Sequence, residues 1–278
     1  SEEQKIHHAR RMEVYAGMVD AMDMHIGRLM DYLKEIGEFE NTIFVFTSDN
    51  GAEGSNLIGV NGRAALGMGN WFDRVGYNSD FETLGEANSF NAIGPNNATV
   101  AASPLAYYKF YASEGGLRVP LVMSGPGIAK QNEKSDEFVF VTDLAPTILS
   151  LVDLEKHDGN WKGDSIEEII GTDFSEFLQG SETDIHSASE AIGYELGGNR
   201  ALFKGDYKLV FNRSAVNDQN WHLFNIKTDP GEAHDLAQEE PERYVEMLTD
   251  YEEYESSNNV LPMPEGYKGR VLYGGQSR

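Results

Sequence analysis

The most regular pattern in the chain is a stripe of apolar residues between about Arg11 and Ile36. Apolar side chains recur there every three or four positions, which is the period of an amphipathic helix that packs against a core. The stripe consists of Tyr15, Met18, Val19, Met22, Ile26, Leu29, Met30, Leu33 and Ile36. Gly37 and Asn41 then end the predicted helix.

A short apolar run from Thr42 to Thr47 follows this helix. The run is rich in β-branched and aromatic residues and is bounded by turn residues, which predicts a buried strand. Because it is continuous rather than alternating, we expect a sheet that is covered on both faces. Val119–Met123 predicts a second strand. The fold class is therefore predicted to be α/β, with part of a mixed sheet flanked by helices.

Asp143 and Pro146 indicate the start of a further helix that extends to about Leu154. Asp143 is placed to cap it, and Pro146 lies in the first turn, where a missing N–H is tolerated. The composition turns polar after Leu154, so we predict that the larger domain covers residues 1–155. Residues 156–278 are assigned to a linker and a small C-terminal subdomain.

The small subdomain is predicted to be α+β. Apolar runs at 201–203, 208–211 and 221–224 indicate three strands, and a turn at 204–206 favours an antiparallel arrangement. Pro241 is expected to begin a last helix that extends to about Tyr254.

Residues 51–103 are rich in Gly, Asn and Ala and show no clear period. We interpret them as a long ordered insertion in the larger domain, either a functional loop or a surface excursion. Trp71, Phe72 and Tyr77 are its candidates for lining a substrate pocket.

Charge and cysteine content limit the classes of function. Among 278 residues, 46 are acidic and 22 are basic, and the formal net charge is -24. This charge disfavours nucleic acid and anionic membrane surfaces as partners, and it also repels anionic substrates unless local cations reverse the field. Acidity is equally compatible with an adaptation to high salt. Without any Cys, the residues offer no disulfide, thiolate metal site or cysteine nucleophile.

Asp49 and Asn50 are the candidate metal ligands. They directly follow the first predicted strand, at its carboxyl end, where α/β sheets place their ligand crevices. Two hard oxygen donors before Gly51 suit Ca²⁺ or Mg²⁺. The same Ser-Asp-Asn-Gly sequence is also common in ordinary turns. Calcium takes about 6 to 8 oxygens, so further ligands have to come from elsewhere.

Four segments resemble conserved blocks of the type I sulfatases. Asn41–Gly54 (NTIFVFTSDNGAEG) resembles the block N-T-x-x-x-F-x-S-D-N-G, and Lys109 followed by Glu114–Pro120 (EGGLRVP) resembles a second block. Residues 143–149 (DLAPTIL) and 221–236 (WHLFNIKTDPGEAHDL) resemble two more. The resemblance covers nearly the whole chain and is closest in kind to bacterial arylsulfatases of the alkaline phosphatase superfamily.

The resemblance implies roles for individual residues. Asp49 and Asn50 would be ligands of Ca²⁺, in preference to Mg²⁺, together with an Asp pair in a preceding segment. Lys109 would contact the sulfate and the leaving-group oxygen, where an ammonium stabilises the developing charge. Without its flanking motif, the residues alone would favour the interpretation of Lys109 as a surface lysine beside aromatic residues. Arg118 is expected to be structural and to position its loop through Glu114.

The chain also departs from the family pattern. It contains no C-x-P-x-R block, which carries the formylglycine nucleophile, and the nearest string, Ser124–Ile128 (SGPGI), lacks the Arg. We therefore expect the C-terminal part of a calcium-dependent, arylsulfatase-like hydrolase of small sulfate esters, inactive on its own. Two alternatives remain open. One is a non-catalytic binding or assembly module on this scaffold, and the other is a phosphonate or phosphate ester hydrolase of the same superfamily.

Overall fold

The computed structural model describes residues 1–55, 68–130, 132–157, 159–181, 184–213 and 218–264. The chain divides into two compact units. Unit 1 comprises Ser1–Asp31, Ser48–Val119 and Ala191–Arg278, and unit 2 comprises Tyr32–Thr47 and Pro120–Glu190. Helices and antiparallel sheets both occur, which confirms the predicted α/β class.

The elements are named in chain order. The helices are α1 (Glu2–Glu35), α2 (Met68–Val75), α3 (Gly94–Ala102), α4 (Glu114–Leu117), α5 (Leu144–Leu151), α6 (Ser175–Leu178) and α7 (Pro241–Ser257). The strands are β1 (Phe44–Thr47), β2 (Leu121–Ser124), β3 (Asn160–Trp161), β4 (Asp164–Ser165), β5 (Ala191–Leu196), β6 (Asn199–Lys204), β7 (Tyr207–Phe211) and β8 (His222–Asn225). Within the described ranges, no helix is both long and apolar enough to span a membrane.

Helix α1 is longer than predicted, and most of its apolar stripe is exposed. Met18 is 60% exposed and Leu29 is 53% exposed. The expectation that this stripe packs against a core is therefore wrong for the part of the chain that the structure describes. Near its N-terminus the helix contacts unit 1 through Met12, which packs against a core cluster that includes Ile93, and through polar groups. For example, Asn97 Nδ2 donates a hydrogen bond to the carbonyl oxygen of His8 at 3.2 Å.

Strands β1 and β2 form an antiparallel pair in unit 2. One face lies on a core cluster that includes Ile128 and Phe174. On the other face Phe46 and Val122, which are paired in register, are 42% and 56% exposed. The predicted strands are confirmed, but the prediction that both faces are covered is wrong for the described residues. The continuous apolar run has one partner strand and one core cluster there, and Phe46 and Thr47 at its end remain exposed.

The start of α5 uses Asp143 differently from the prediction. Asp143 directly precedes the helix, and Pro146 lies in its first turn as expected. The carboxylate, however, accepts hydrogen bonds from the N–H groups of Phe140 at 2.6 Å and Thr172 at 2.8 Å, and contacts His186 Nε2 at 2.8 Å. Burial raises the pKa of Asp143, but these bonds outweigh it and bring that pKa below its ordinary value. Asp143 therefore connects three segments instead of capping one helix.

The C-terminal part of unit 1 is a four-stranded antiparallel meander in the order β5-β6-β7-β8, with α7 packed against it. The three predicted strands are confirmed as β6, β7 and β8, and the predicted last helix is α7. Strand β5 was not predicted, because Gly193 and Glu195 interrupt its apolar pattern. The core between sheet and helix consists of Leu202, Leu209, Leu223, Met247 and Tyr251.

The described part of residues 51–103 contains α2, α3 and a single 3-10 turn at Phe81–Thr83. The three aromatic residues proposed as pocket-lining lie together around Phe90, with Trp71 and Phe72 ring centroids 5.7 Å and 5.1 Å from its ring. Phe72 is 5% exposed, so it forms part of a small aromatic core, whereas Tyr77 is exposed. Their role in lining a pocket stays a prediction.

Candidate functional site

The turn that contains Asp49 and Asn50 follows β1. Ser48 Oγ donates to the Asn50 carbonyl oxygen at 2.9 Å, and Asn50 Nδ2 donates to the Gly51 carbonyl oxygen at 2.9 Å. The Gly51 N–H donates to the carbonyl oxygen of Gly116 at 2.9 Å. Asp49 is exposed, and its carboxylate makes no hydrogen bond or ion pair with the described residues. The backbone of the turn is thus fixed while the Asp49 carboxylate stays available.

Gly51 lets two backbone segments touch, and Gly115 and Gly116 let the second segment pack closely on its own backbone. A Cβ added at Gly51 would lie 1.8 Å from the carbonyl oxygen of Gly115. One added at Gly115 would lie 2.2 Å from the Tyr107 carbonyl oxygen, and one at Gly116 would lie 2.1 Å from that of Tyr111. No side chain fits at these distances. The first two blocks that resemble sulfatases therefore pack backbone against backbone, and we call this arrangement the glycine contact.

Lys109 is fixed beside the same turn. Its N–H donates to the carbonyl oxygen of Ala52 at 3.0 Å, and its Nζ lies 2.8 Å from Glu53 Oε2. Tyr107 and Phe110 on either side have φ angles of 60° and 79°. Such left-handed conformations cost bulky residues about 1 to 3 kcal/mol each, and they persist only where surrounding contacts impose them. The conformation of the Lys109 segment is therefore imposed by its neighbours.

Glu53 is a site residue that the sequence reasoning missed. Besides Lys109, it accepts a hydrogen bond from the Ser55 N–H at 2.7 Å. Burial raises the pKa of Glu53, but the bonds from Lys109 and Ser55 outweigh it, so its pKa lies below the ordinary value. Glu53 is thus ionised near neutral pH and competes with any anion for Lys109. Its position within the SDNGAEG segment was the available signal.

Polar side chains from the C-terminal sheet support the segment after Lys109. Asn199 Nδ2 donates to the Phe110 carbonyl oxygen at 2.9 Å. Asn212 accepts from the Ala112 N–H at 2.8 Å and donates to Ser113 Oγ at 2.7 Å. Sequence reasoning missed both asparagines, since neither belongs to a recognisable motif. They satisfy backbone groups of a segment that has no regular secondary structure of its own.

The expected ion pair between Arg118 and Glu114 is confirmed, with Arg118 Nη1 3.6 Å from Glu114 Oε2. Arg118 is half exposed, whereas Glu114 is buried. At this distance the contact is an ion pair without a hydrogen bond. Glu114 therefore needs a further partner inside the protein.

The donors at the turn suit one side of a divalent cation site. The Asp49 carboxylate and the Asn50 Oδ1 are hard oxygens of the kind that Ca²⁺ and Mg²⁺ prefer. In the described part of the chain, no group of three or more His, Asp or Glu side chains is arranged to hold a metal. Two oxygens make only part of a shell that takes about 6 to 8, so they fit a half-site.

Comparison with known proteins identifies the family of this chain. The sulfatase family profile matches residues 1–154, and the profile described as N-sulphoglucosamine sulphohydrolase, C-terminal, matches residues 105–254. The chain is 36% identical over 266 residues to an uncharacterized sulfatase of Schizosaccharomyces pombe, covering 95% of this chain and 47% of that protein. It is 33% identical over 154 residues to the arylsulfatase of Klebsiella aerogenes, covering 55% of this chain and 32% of that protein.

Solved structures share the fold. The crystal structure of Ps i-CgsB in complex with k-i-k-neocarrahexaose has a TM-score of 0.57 and 24% identity, covering 86% of this chain and 42% of that chain. A protein crystallised with its substrate D-glucosamine-2-N,6-O-disulfate has a TM-score of 0.51 and 22% identity, covering 86% of this chain and 39% of that chain. This chain thus spans less than half the length of these relatives. Since the family profile covers more than half of it, the chain belongs to the sulfatases, the sulfuric ester hydrolases of the alkaline phosphatase superfamily.

Proposed function

We propose that this chain is the part of a sulfate ester hydrolase that supplies half of a calcium site, at Asp49 and Asn50, and a sulfate-binding cation, at Lys109. The observation that carries the proposal is the hydrogen bond between the Lys109 N–H and the Ala52 carbonyl oxygen at 3.0 Å. This bond joins two segments that are distant in sequence. It holds the Lys109 ammonium beside the turn of Asp49 and Asn50, which we propose binds the cation.

The charge of the protein explains why both features are needed. With a formal net charge of -24, the chain repels a sulfate monoester. A bound divalent cation would supply positive charge beside the substrate anion. Lys109 supplies a second positive charge, and in the proposed reaction it stabilises the negative charge that develops on the leaving oxygen as the S–O bond breaks.

Glu53 is the ion-pair partner of Lys109 in the absence of substrate. The Lys109–Glu53 pair is partly exposed, so its contribution to stability is about 1 kcal/mol or less. A sulfate group can therefore bind Lys109 together with Glu53, or replace Glu53 as its partner, at a small cost in free energy. Since Glu53 keeps the ammonium oriented in the absence of substrate, we propose that it prepares Lys109 for the anion.

The substrate that we propose is a small aryl sulfate or a related ester, in line with the arylsulfatase among the relatives. The nucleophile would come from residues outside this chain, because it contains no Cys. The other metal ligands would do so as well, because no group of three or more acidic or His side chains among the described residues is arranged to hold a metal. We therefore expect the 278-residue chain alone to show no turnover of a chromogenic aryl sulfate and only weak calcium binding by calorimetry. Turnover by the purified chain would overturn this division of roles.

The direct test is Lys109→Ala in the full-length enzyme that we propose. Loss of one fixed charge of this kind lowers kcat by roughly 100-fold or more. The melting temperature should change little, because the pair with Glu53 is partly exposed. Lys227→Ala is the matched control, since Lys227 is 71% exposed and paired with Asp206. Equal losses of activity and stability for Lys109→Ala, or an equal loss of activity in the control, would refute the sulfate-binding role.

A further inference from the structure

The C-terminal sheet places one buried lysine against the segment that follows Lys109. Lys208 lies in β7, and its side chain is 0% exposed. Its Nζ is 2.9 Å from Glu114 Oε1 and 2.9 Å from Glu232 Oε1. Both carboxylates are buried as well, with side chains 3% and 2% exposed. We call these three residues the buried triad.

The triad is an unusual way to fill a core. Burial lowers the pKa of Lys208, but the charges of Glu232 and Glu114 outweigh it, so that pKa lies above its ordinary value and the side chain stays an ammonium. Replacing a buried ion pair with apolar residues of similar size is often neutral or stabilising, so stability alone does not account for such a group.

Glu232 adds a second sign of a specific role. Its Oε2 is buried and has no hydrogen-bond partner among the described residues, and its backbone has a φ of 50°. An unsatisfied buried oxygen and a left-handed backbone both cost free energy. Glu232 Oε1 also accepts a hydrogen bond from the Glu114 N–H at 3.2 Å. Glu232 therefore binds both the backbone of Glu114 and the side chain of Lys208.

From Glu114 the contacts lead directly to the proposed site. The next residue, Gly115, donates its N–H to the Ala106 carbonyl oxygen at 2.8 Å, and Gly116 accepts from the Gly51 N–H at 2.9 Å. Gly51 follows the turn with the proposed metal ligands. A shift of Glu114 would therefore move the glycine contact, and with it the backbone of that turn.

We propose that Lys208 is a positioning residue for the sulfate ester site, holding Glu114 and thereby the glycine contact in place. The proposal rests on the proposed function for its catalytic meaning. Lys208 does not touch the site itself, and it acts through Glu114 and Glu232.

Amide hydrogen exchange of the 278-residue chain, measured by NMR, tests the coupling without any need for activity. In Lys208→Met, two buried carboxylates lose their cation, and we expect the Gly51 and Gly115 amides to exchange faster by on the order of 100-fold. The amide of Met247 in α7 should change much less. Lys204→Met is the control, because Lys204 lies on the neighbouring strand and pairs with the more exposed Glu246.

Equal acceleration at Gly51 and Met247 would mean that Lys208 supports the whole fold, and no acceleration would mean that it supports nothing at the site; both results overturn the proposal. If Lys208→Met does not fold, the same exchange measurement on Glu232→Gln tests the proposal. This variant keeps the Lys208–Glu114 pair and removes one buried charge, so selective acceleration at Gly51 is again expected.

Kinetics of the full-length enzyme separate this proposal from the proposed function. In Lys208→Met we expect kcat to fall by about tenfold or more with a smaller change in KM, since misplaced groups lose transition-state contacts. Selective exchange at Gly51 with an unchanged kcat overturns the positioning role and leaves the proposed function intact. An unmodified enzyme that hydrolyses no sulfate ester sinks the proposed function, whereas the exchange result still reports on the coupling.

Discussion

Substitution of Gly51 by Ala tests the glycine contact most directly. The added Cβ would lie 1.8 Å from the Gly115 carbonyl oxygen and 3.1 Å from Gly116 Cα. Ordinary contact requires about 3.5 Å, so the two backbones have to separate by roughly 1.7 Å. That movement breaks the hydrogen bond from the Gly51 N–H to the Gly116 carbonyl oxygen.

The expected cost has two parts. Overpacking against rigid atoms costs about 1 to 3 kcal/mol, and here the obstacle is backbone, which cannot rotate away. The lost hydrogen bond adds about 0.5 to 1.5 kcal/mol. We therefore expect Gly51→Ala to lower the free energy of unfolding by about 2 to 4 kcal/mol.

Gly27→Ala provides a control of opposite sign. Gly27 lies within α1, and a Cβ there would meet nothing within 4 Å. Ala in a helix interior is more stable than Gly by about 0.5 to 1 kcal/mol, so this variant should raise the free energy of unfolding. Both glycines belong to unit 1. Urea unfolding followed by circular dichroism compares the three proteins, and a Gly51→Ala midpoint at or above that of the unmodified chain would refute the reasoning.

Three further predictions concern stability. Lys208→Met should cost about 3 to 5 kcal/mol, whereas Lys204→Met should cost about 1 kcal/mol or less, because only the first removes the cation that two buried carboxylates share; urea midpoints compare them. Asn212→Ala should cost about 1 to 3 kcal/mol, since the buried Ala112 N–H loses its acceptor; its thermal unfolding measures this. Unit 2 should be most stable between about pH 4 and pH 6.5, owing to Asp143 and His186; urea midpoints across pH locate the window.

The pH window follows from two opposite shifts. The hydrogen bond to Asp143, followed by that to Glu190, raises the pKa of His186 against the effect of burial. The stabilisation that His186 contributes is complete below the ordinary His pKa, and it is lost as pH rises through the pKa of His186 in the folded protein. The pKa of Asp143 is lowered, so its contribution is complete above the ordinary Asp pKa and is lost as pH falls through the folded value. A His186→Gln variant with the same alkaline loss would contradict this assignment.

The remaining two predictions have equally clear contrary outcomes. Equal urea midpoints for Lys208→Met and Lys204→Met would show that burial does not determine how much these ion pairs contribute to the free energy of unfolding. An Asn212→Ala variant that melts with the unmodified chain would show that the Ala112 N–H finds another acceptor.

Local features of the sequence predicted the local parts of the site. The β-branched run before Asp49 predicted β1, and the glycine after Asn50 predicted a tight turn. The partners of buried charges could not be predicted in this way, because Lys208 is 94 residues from Glu114 and 24 from Glu232 along the chain. The same reason explains the error at Asp143. A capping role was the local interpretation, whereas Thr172 and His186 lie 29 and 43 residues further along the chain.

Periodicity likewise predicted α1 without predicting its surroundings. An apolar stripe indicates that a helix has a face suited to burial, but it carries no information about which element covers that face. Met18 and Leu29 fulfil the periodicity and are nonetheless exposed. Sequence pattern alone therefore located the helix and overstated its packing.

The glycine contact also determines which substitutions natural or laboratory selection can accept. Every amino acid other than glycine adds a Cβ, so replacements of Gly51, Gly115 and Gly116 should be strongly disfavoured under a selection for folding alone. Asp49, which is exposed, should tolerate many replacements under that selection and, as a proposed metal ligand, few under a selection for sulfate ester cleavage. Deep mutational scanning under both regimes would thus divide one short motif into positions fixed by geometry and positions fixed by chemistry. Because a Cβ at Gly51 meets backbone atoms of Gly115, no side-chain change in the other segment can compensate for its replacement.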